Sequence, residues 1–217
     1  MPTLFLTSAG LPPETREHFL SLLDKKPADV VVAFIPTAAW PEKNHEYIQL
    51  AKNELRELGI NRIKEVDLKS ENKQSLLEKL ADCDVIYVNG GNTFYLLEQA
   101  RKSGFTEIIR SLLDQGKIYL GVSAGSYLAC PTILAAGWGQ ADENVANLAD
   151  LTALNLVPFI IVAHFQRKER EEIENEAKKV KYPVIALNDQ QAILVKDGSY
   201  EIIGSGDKIS FNGFKEN

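Results

Sequence analysis

Residues 118–120, Ile-Tyr-Leu, carry strand-forming side chains straight into Gly121-Val122-Ser123-Ala124-Gly125. Behind them Ser126-Tyr127-Leu128-Ala129-Cys130 can begin a helix. A Gly-x-Ser-x-Gly segment between a strand and a helix leaves the backbone few choices. The turn is so tight that Cβ atoms at the flanking positions would clash, which glycine avoids, and the serine hydroxyl is turned out of the backbone. The N–H of Ala124 is then free near a helix N-terminus, where it can face a developing negative charge. The pattern predicts a nucleophile elbow.

The rest of the chain fits around such a strand–turn–helix. Residues 3–7 form a short apolar strand stopped by Ser8-Ala9-Gly10 and Pro12-Pro13. Residues 14–23 are helix-like, and residues 30–35 are a continuous apolar strand ended by Pro36-Thr37. Such runs, unlike alternating ones, suggest burial on both faces, as in a parallel sheet covered by helices. Residues 44–58 repeat Ile48, Ala51, Leu55 and Leu58 at helical spacing before Gly59. A strand at 62–66, a helix at 74–80 and a strand at 84–88 follow. Next come Asn89-Gly90-Gly91-Asn92, a helix through Leu96, Leu97 and Ala100, and another helix at 105–113. This alternation predicts an α/β fold with a three-layer, largely parallel sheet flanked by helices. In such sheets the site lies at the carboxyl ends of the strands, which makes Ser8–Gly10, Pro36-Thr37, Asn89–Asn92 and the serine turn neighbours. Beyond a loop-rich stretch at 131–150, a strand at 159–163 ends at His164 and a charged helix spans 167–180. Short strands at 184–187, 192–195 and 200–203, with Asp197-Gly198 as a hairpin turn, are expected to finish the same sheet antiparallel. No linker divides the sequence, so residues 1–217 are read as a single domain.

Composition narrows the functional classes. At 217 residues and 45% hydrophobic, the chain can bury one substantial core. Its net charge of −6, with basic residues scattered among acidic ones, disfavours nucleic acid or an anionic membrane as partner. Cys83 and Cys130 are too few for a disulfide framework or a zinc site and read as reduced core residues. The N-terminal apolar run is short and lacks a basic start, and no apolar run is long enough to span a membrane, so a cytoplasmic protein is expected. The sequence favours neither a monomer nor a homodimer.

Serine is a weak nucleophile unless a base takes its proton, and histidine is the usual base near neutral pH. The chain has three histidines. His18 and His45 lie in amphipathic helices among charged residues and read as solvated surface. His164 follows the apolar run Ile160-Ile161-Val162-Ala163 at the carboxyl end of a strand, and is the expected base. An acid that orients the imidazole is sought between Ser123 and His164, where Asp142, Glu143 and Asp150 stand. Asp150 fits a helix N-cap better. Asp142 and Glu143, in the loop after the elbow, are both open. Glycines at 90 and 91 let the backbone approach a substrate, which makes Gly91 the second expected oxyanion donor beside Ala124. Asn92 is expected to cap the following helix, with a role at the substrate compatible with that.

Together these residues resemble a known family, the serine peptidases related to peptidase E (aspartyl dipeptidase) and, more distantly, cyanophycinase. The resemblance rests on Asn89-Gly-Gly-Asn-Thr-Phe94, Gly121-Val-Ser-Ala-Gly-Ser126, Cys130-Pro-Thr-Ile133, and residues 150–158 leading to His164-Phe165. It implies a class I glutamine-amidotransferase-like sheet with serine in place of cysteine, Ser123 as nucleophile, His164 as base, and Gly91 and Ala124 as oxyanion donors. The family's acid lies some 22 residues before the histidine, which falls on Asp142; extra residues around 137–140 leave Glu143 as the alternative. No metal or organic cofactor is implied. In the family a loop after the histidine leads to an arginine that reads an aspartyl side chain, whereas here residues 164–170 run almost directly into a helix. Arg167 and Arg170, at i,i+3 spacing, are candidates either for that carboxylate-reading role or for ordinary surface pairing.

The expected activity is hydrolysis of short peptides through an acyl-enzyme on Ser123, with an N-terminal aspartate preference if the arginines serve it. The alternatives are a cyanophycinase-like, isoaspartyl or other small hydrolase with the same triad, and a silent binding or regulatory module on the same fold.

Overall fold

The computed structural model describes residues 2–214. Strands and helices alternate from the start: β1 (Thr3–Thr7), α1 (Pro13–Leu20), β2 (Val31–Ile35), α2 (Glu46–Glu57), β3 (Arg62–Glu65), α3 (Lys73–Leu80) and β4 (Val85–Val88). Two consecutive helices, α4 (Thr93–Lys102) and α5 (Phe105–Asp114), lead to β5 (Ile118–Val122) and α6 (Ala124–Ala129). After a long irregular stretch come β6 (Ile160–Val162), α7 (Arg170–Ala177) and β7 (Val184–Ala186). The chain then forms β8 (Gln191–Lys196), β9 (Ser199–Gly204) and β10 (Ile209–Phe211).

The main sheet has the order β3-β2-β4-β5-β1-β8-β9. Its first five strands are parallel; β8 runs antiparallel to β1 and β9 antiparallel to β8. Side chains alternate across the sheet and feed two cores. Leu4, Leu6, Ile86 and Val88 join one with Leu76, Leu97, Ile109 and Leu128 from α3, α4, α5 and α6. Phe5, Val85 and Tyr87 join the other with Phe19, Ala51 and Leu55 from α1 and α2. Both faces are thus covered, which is why β2, β4 and β5 are buried at every position and read as unbroken apolar runs.

One expectation is corrected. Only β8 and β9 finish the main sheet; β7 leaves it for a second sheet of order β10-β7-β6, in which β6 and β7 are parallel. The charged helix α7 is the crossover that parallel neighbours require. Short apolar runs do not say which strand they will lie beside, so this pairing is tertiary. Its consequence is local: the residues after β6 and those after β7 emerge side by side.

Candidate active site

Ser123 stands between β5 and α6 at φ 48°, ψ −107°. That backbone is costly for a residue with a Cβ, roughly 1–3 kcal/mol, and persists only where the surroundings enforce it. Here they do. A Cβ on Gly121 would fall 2.7 Å from the Gly125 carbonyl oxygen, and one on Gly125 would fall 2.1 Å from that of Val88, so only glycines let α6 sit this close to the sheet. The Ser123 N–H donates to Thr7 O at 3.0 Å, and the Ser126 hydroxyl lies 2.8 Å from both Thr7 O and Gly121 O. The Tyr119 hydroxyl donates to Gly125 O at 2.7 Å.

His164 follows β6 and also has a left-handed backbone, φ 57°. Its N–H donates to Ser8 Oγ at 2.6 Å, while the N–H of Ala163 before it donates to the Tyr127 hydroxyl at 3.0 Å. So held, its ring places Nε2 2.9 Å from Ser123 Oγ and Nδ1 2.7 Å from Asp189 Oδ1. Asp189 lies just beyond β7. The hydrogen bond from His164 keeps its carboxyl below the usual range, with burial opposing and Ser8 adding to the lowering. Ser8, fully buried after β1, lies 3.0 Å from Asp189 Oδ1 and 3.3 Å from Leu187 O. One hydroxyl therefore ties together the carboxyl ends of β1, β6 and β7.

The acid at the imidazole thus lies outside the expected segment between Ser123 and His164. Asp142 Oδ2 accepts the Thr93 N–H at 2.8 Å, at the start of α4, and burial raises its carboxyl above the usual range. Glu143 contributes its main-chain oxygen, which accepts Asn92 Nδ2 at 2.8 Å. Asp150 accepts the Thr152 N–H at 2.9 Å and pairs with Arg101 at 3.1 Å, with no helix following it. The spacing implied by the resemblance pointed to Asp142; the strand pairing puts Asp189 there instead. Asp189 stands two residues past the apolar run 184–187, whereas His164 directly follows its own run, and it lies beyond the histidine rather than between Ser123 and His164.

Gly91 has φ 131°, and a Cβ there would fall 2.3 Å from Ala38 O. Neither its N–H nor that of Ala124 has a hydrogen-bond acceptor among the described residues. Asn92 is occupied as the cap of α4, its Oδ1 accepting the Tyr95 N–H at 2.9 Å. The two arginines face elsewhere: Arg167 pairs with Asp207, and the Arg170 guanidinium lies 5.9 Å from the centre of the Phe211 ring. Neither lines the cleft beside Ser123, and each has its partner elsewhere. His18 and His45 are exposed, as expected.

That cleft measures about 510 Å³ and is bounded by the strand-end loops at Ser8–Gly10 and Asn89–Gly91, by Ser123 and His164, and by one side of α2. It is large enough for a short peptide and opens to solvent.

Fold and site together define an α/β protein with a serine, a histidine and an aspartate in hydrogen-bonded series at the carboxyl ends of its strands. The sequence matches Peptidase family S51 over residues 4–203, and the chain belongs to that family. It is 33% identical over 177 residues to an uncharacterized peptidase of Pasteurella multocida (strain Pm70), covering 80% of this chain and 85% of that one. It is 28% identical over 218 residues to peptidase E of Salmonella arizonae, covering 96% and 89%. Among solved structures, a peptidase E-like protein from Listeria monocytogenes EGD-e superposes with a TM-score of 0.81 at 29% identity, over 95% of this chain and 100% of that one. The protein is therefore a peptidase at the level of its family. Among the described residues no helix is long and apolar enough to cross a membrane.

Proposed function

We propose that the protein is a serine-type peptidase of short peptides, with Ser123 as nucleophile, His164 as general base and acid, and Asp189 as the acid that orients the imidazole. The observation that carries this reading is the unbroken series Ser123 Oγ–His164 Nε2 at 2.9 Å and His164 Nδ1–Asp189 Oδ1 at 2.7 Å. An Nδ1–H donated to Asp189 leaves Nε2 with its lone pair toward the serine hydroxyl, the tautomer a base needs. The left-handed Ser123 backbone fits a nucleophile elbow.

Ser123 Oγ attacks the peptide carbonyl as its proton passes to His164 Nε2. The carbonyl oxygen gains negative charge, which the N–H groups of Gly91 and Ala124 are available to stabilise. His164 then gives the proton to the departing amine, the C–N bond breaks and an ester on Ser123 remains. Water, deprotonated by the same nitrogen, attacks the ester and releases the acid. Asp189 stays ionised throughout and stabilises the imidazolium.

The test is labelling of the protein with a neutral fluorophosphonate, read by intact mass. Stoichiometric modification of Ser123, absent from a folded Ser123→Ala variant, is expected; an unlabelled wild-type protein would overturn the assignment.

A further inference from the structure

One side of α2 forms a wall of the cleft. Tyr47, Leu50, Ala51 and Glu54 line it at the i, i+3, i+4, i+7 spacing that puts four residues on one helical face. Leu50 is 61% exposed and contributes an apolar strip at the cleft edge. Beyond that strip the charged groups are carboxylates: Glu54 on α2, Glu42 just before it, and Asp142 across the cleft. Apart from His164, no basic side chain lines the cleft among the described residues.

Among the described residues none of these carboxylates forms a salt bridge, although Arg16 acts on Glu54 and His164 on Asp142 from farther away. Glu54 Oε2 accepts the Leu11 N–H at 3.1 Å. Arg16 lies close enough to influence Glu54, but its own hydrogen bonds go to Leu11 O and to Glu57. Asp142 has the Thr93 N–H. Burial raises the carboxyls of both Glu54 and Asp142, and pushes the Tyr47 phenol up to about 12 with Glu42 and Asp142 adding to it. A cation entering here would oppose each of these effects.

Two polar groups on the same cleft also lack partners. The Asn89 side chain is 2% exposed and its Nδ2 has no acceptor among the described residues; the Tyr47 hydroxyl is likewise unpaired. A buried amide without a partner costs free energy unless a ligand satisfies it. Nδ2 needs a carbonyl-type acceptor, which a peptide supplies, and the phenol oxygen can accept from an ammonium.

We infer that the cleft selects peptides whose first residue is basic, a lysyl or arginyl residue whose stem lies along Leu50 and Tyr47 and whose charge reaches Glu54 and Glu42. Long cationic side chains carry this combination of apolar stem and charged head. An aspartyl side chain meets three like charges instead. The inference rests on the serine-peptidase reading and fixes its substrate class.

The test compares Lys-Ala, Arg-Ala, norleucyl-Ala, Ala-Ala and Asp-Ala by kcat/KM at low ionic strength. Norleucine keeps the stem of lysine without its charge. Lys-Ala is expected to exceed norleucyl-Ala by about tenfold and Asp-Ala by about a hundredfold, for screened charges in a solvent-open cleft. Glu54→Gln retains an acceptor for the Leu11 N–H, so it is expected to fold. It and Glu42→Gln should each lower the Lys-to-norleucine ratio several-fold. Binding of lysinamide against norleucinamide to the Ser123→Ala protein, by calorimetry, reads the same preference without turnover. Equal rates for Lys-Ala and Asp-Ala, or equal binding of the two amides, would overturn the inference even where fluorophosphonate labels Ser123. Absent labelling with preferential lysinamide binding would overturn the peptidase chemistry and leave the cation site standing.

Discussion

Replacing Asp189 by asparagine tests the site at its least expected member. An asparagine side chain can fit the same space, but its amide nitrogen can donate to Nδ1 and so hold the tautomer that turns an N–H toward Ser123. It also removes the negative charge that faces the imidazolium in the transition state. In a buried triad this change costs about 10⁴ in turnover. Here the Asp189 side chain is 56% exposed and that of His164 39%, so water takes over part of the charge stabilisation. For opposite charges about 4 Å apart, the attraction is about 1 kcal/mol in bulk water and about 4 kcal/mol at a protein surface. At 1.4 kcal/mol per decade those limits are about 5-fold and about 700-fold; screening of so exposed a pair keeps the charge to about 5-fold to 10²-fold, and the tautomer effect multiplies it. The expected loss in kcat/KM is therefore about 10²–10³, carried by kcat, with fluorophosphonate labelling slowed in proportion. Glu143→Gln, in the same assay, should stay within about twofold of wild type. A folded Asp189→Asn protein that loses less than about fivefold would refute the assignment of Asp189 as the orienting acid.

Ser8→Ala should leave the half-buried His164 N–H without its acceptor and cost about 1–2 kcal/mol in denaturant unfolding, with kcat falling more than KM rises; unchanged stability and kcat would show that Ser8 does not position the ring. Gly91→Ala forces a Cβ to within 2.3 Å of Ala38 O at φ 131°, and should destabilise by about 3 kcal/mol or more, visible as a large drop in Tm. Burial raises the Asp142 carboxyl, so its ionised form costs stability at neutral pH, a cost that disappears below the unfolded value of about 4. Asp142→Asn keeps an acceptor for Thr93, so its Tm should equal or exceed that of wild type at pH 7.5, with the gap closing as pH falls; a gap that widens toward acid would contradict the burial argument. Arg167→Met should leave the ratio of Asp-Ala to Ala-Ala cleavage unchanged within about twofold, because its guanidinium is committed to Asp207 outside the cleft.

The sequence by itself determined what depends on neighbours along the chain. Unbroken apolar runs at β2, β4 and β5 announced strands covered on both faces, and spaced leucines and alanines announced α2 and α4. The glycines around Ser123 announced a turn that needs them, and an apolar run closing on His164 singled out one histidine of three. Tertiary structure decided which of several acids faces that histidine. Ser123 and His164 are 41 positions apart, His164 and Asp189 25, and Ser8 and His164 156. Each contact depends on which strands lie side by side, and the parallel pairing of β6 with β7 brings Asp189 to the imidazole while Asp142 stays at the start of α4. Nor does the i,i+3 spacing of Arg167 and Arg170 say where their helix will point; they find Asp207 and Phe211, from segments beyond β9, and the charge of the cleft is left to α2 and its surroundings. Local periodicity encodes an element and its buried face, but a carboxylate carries no mark of its partner until distant strands have paired.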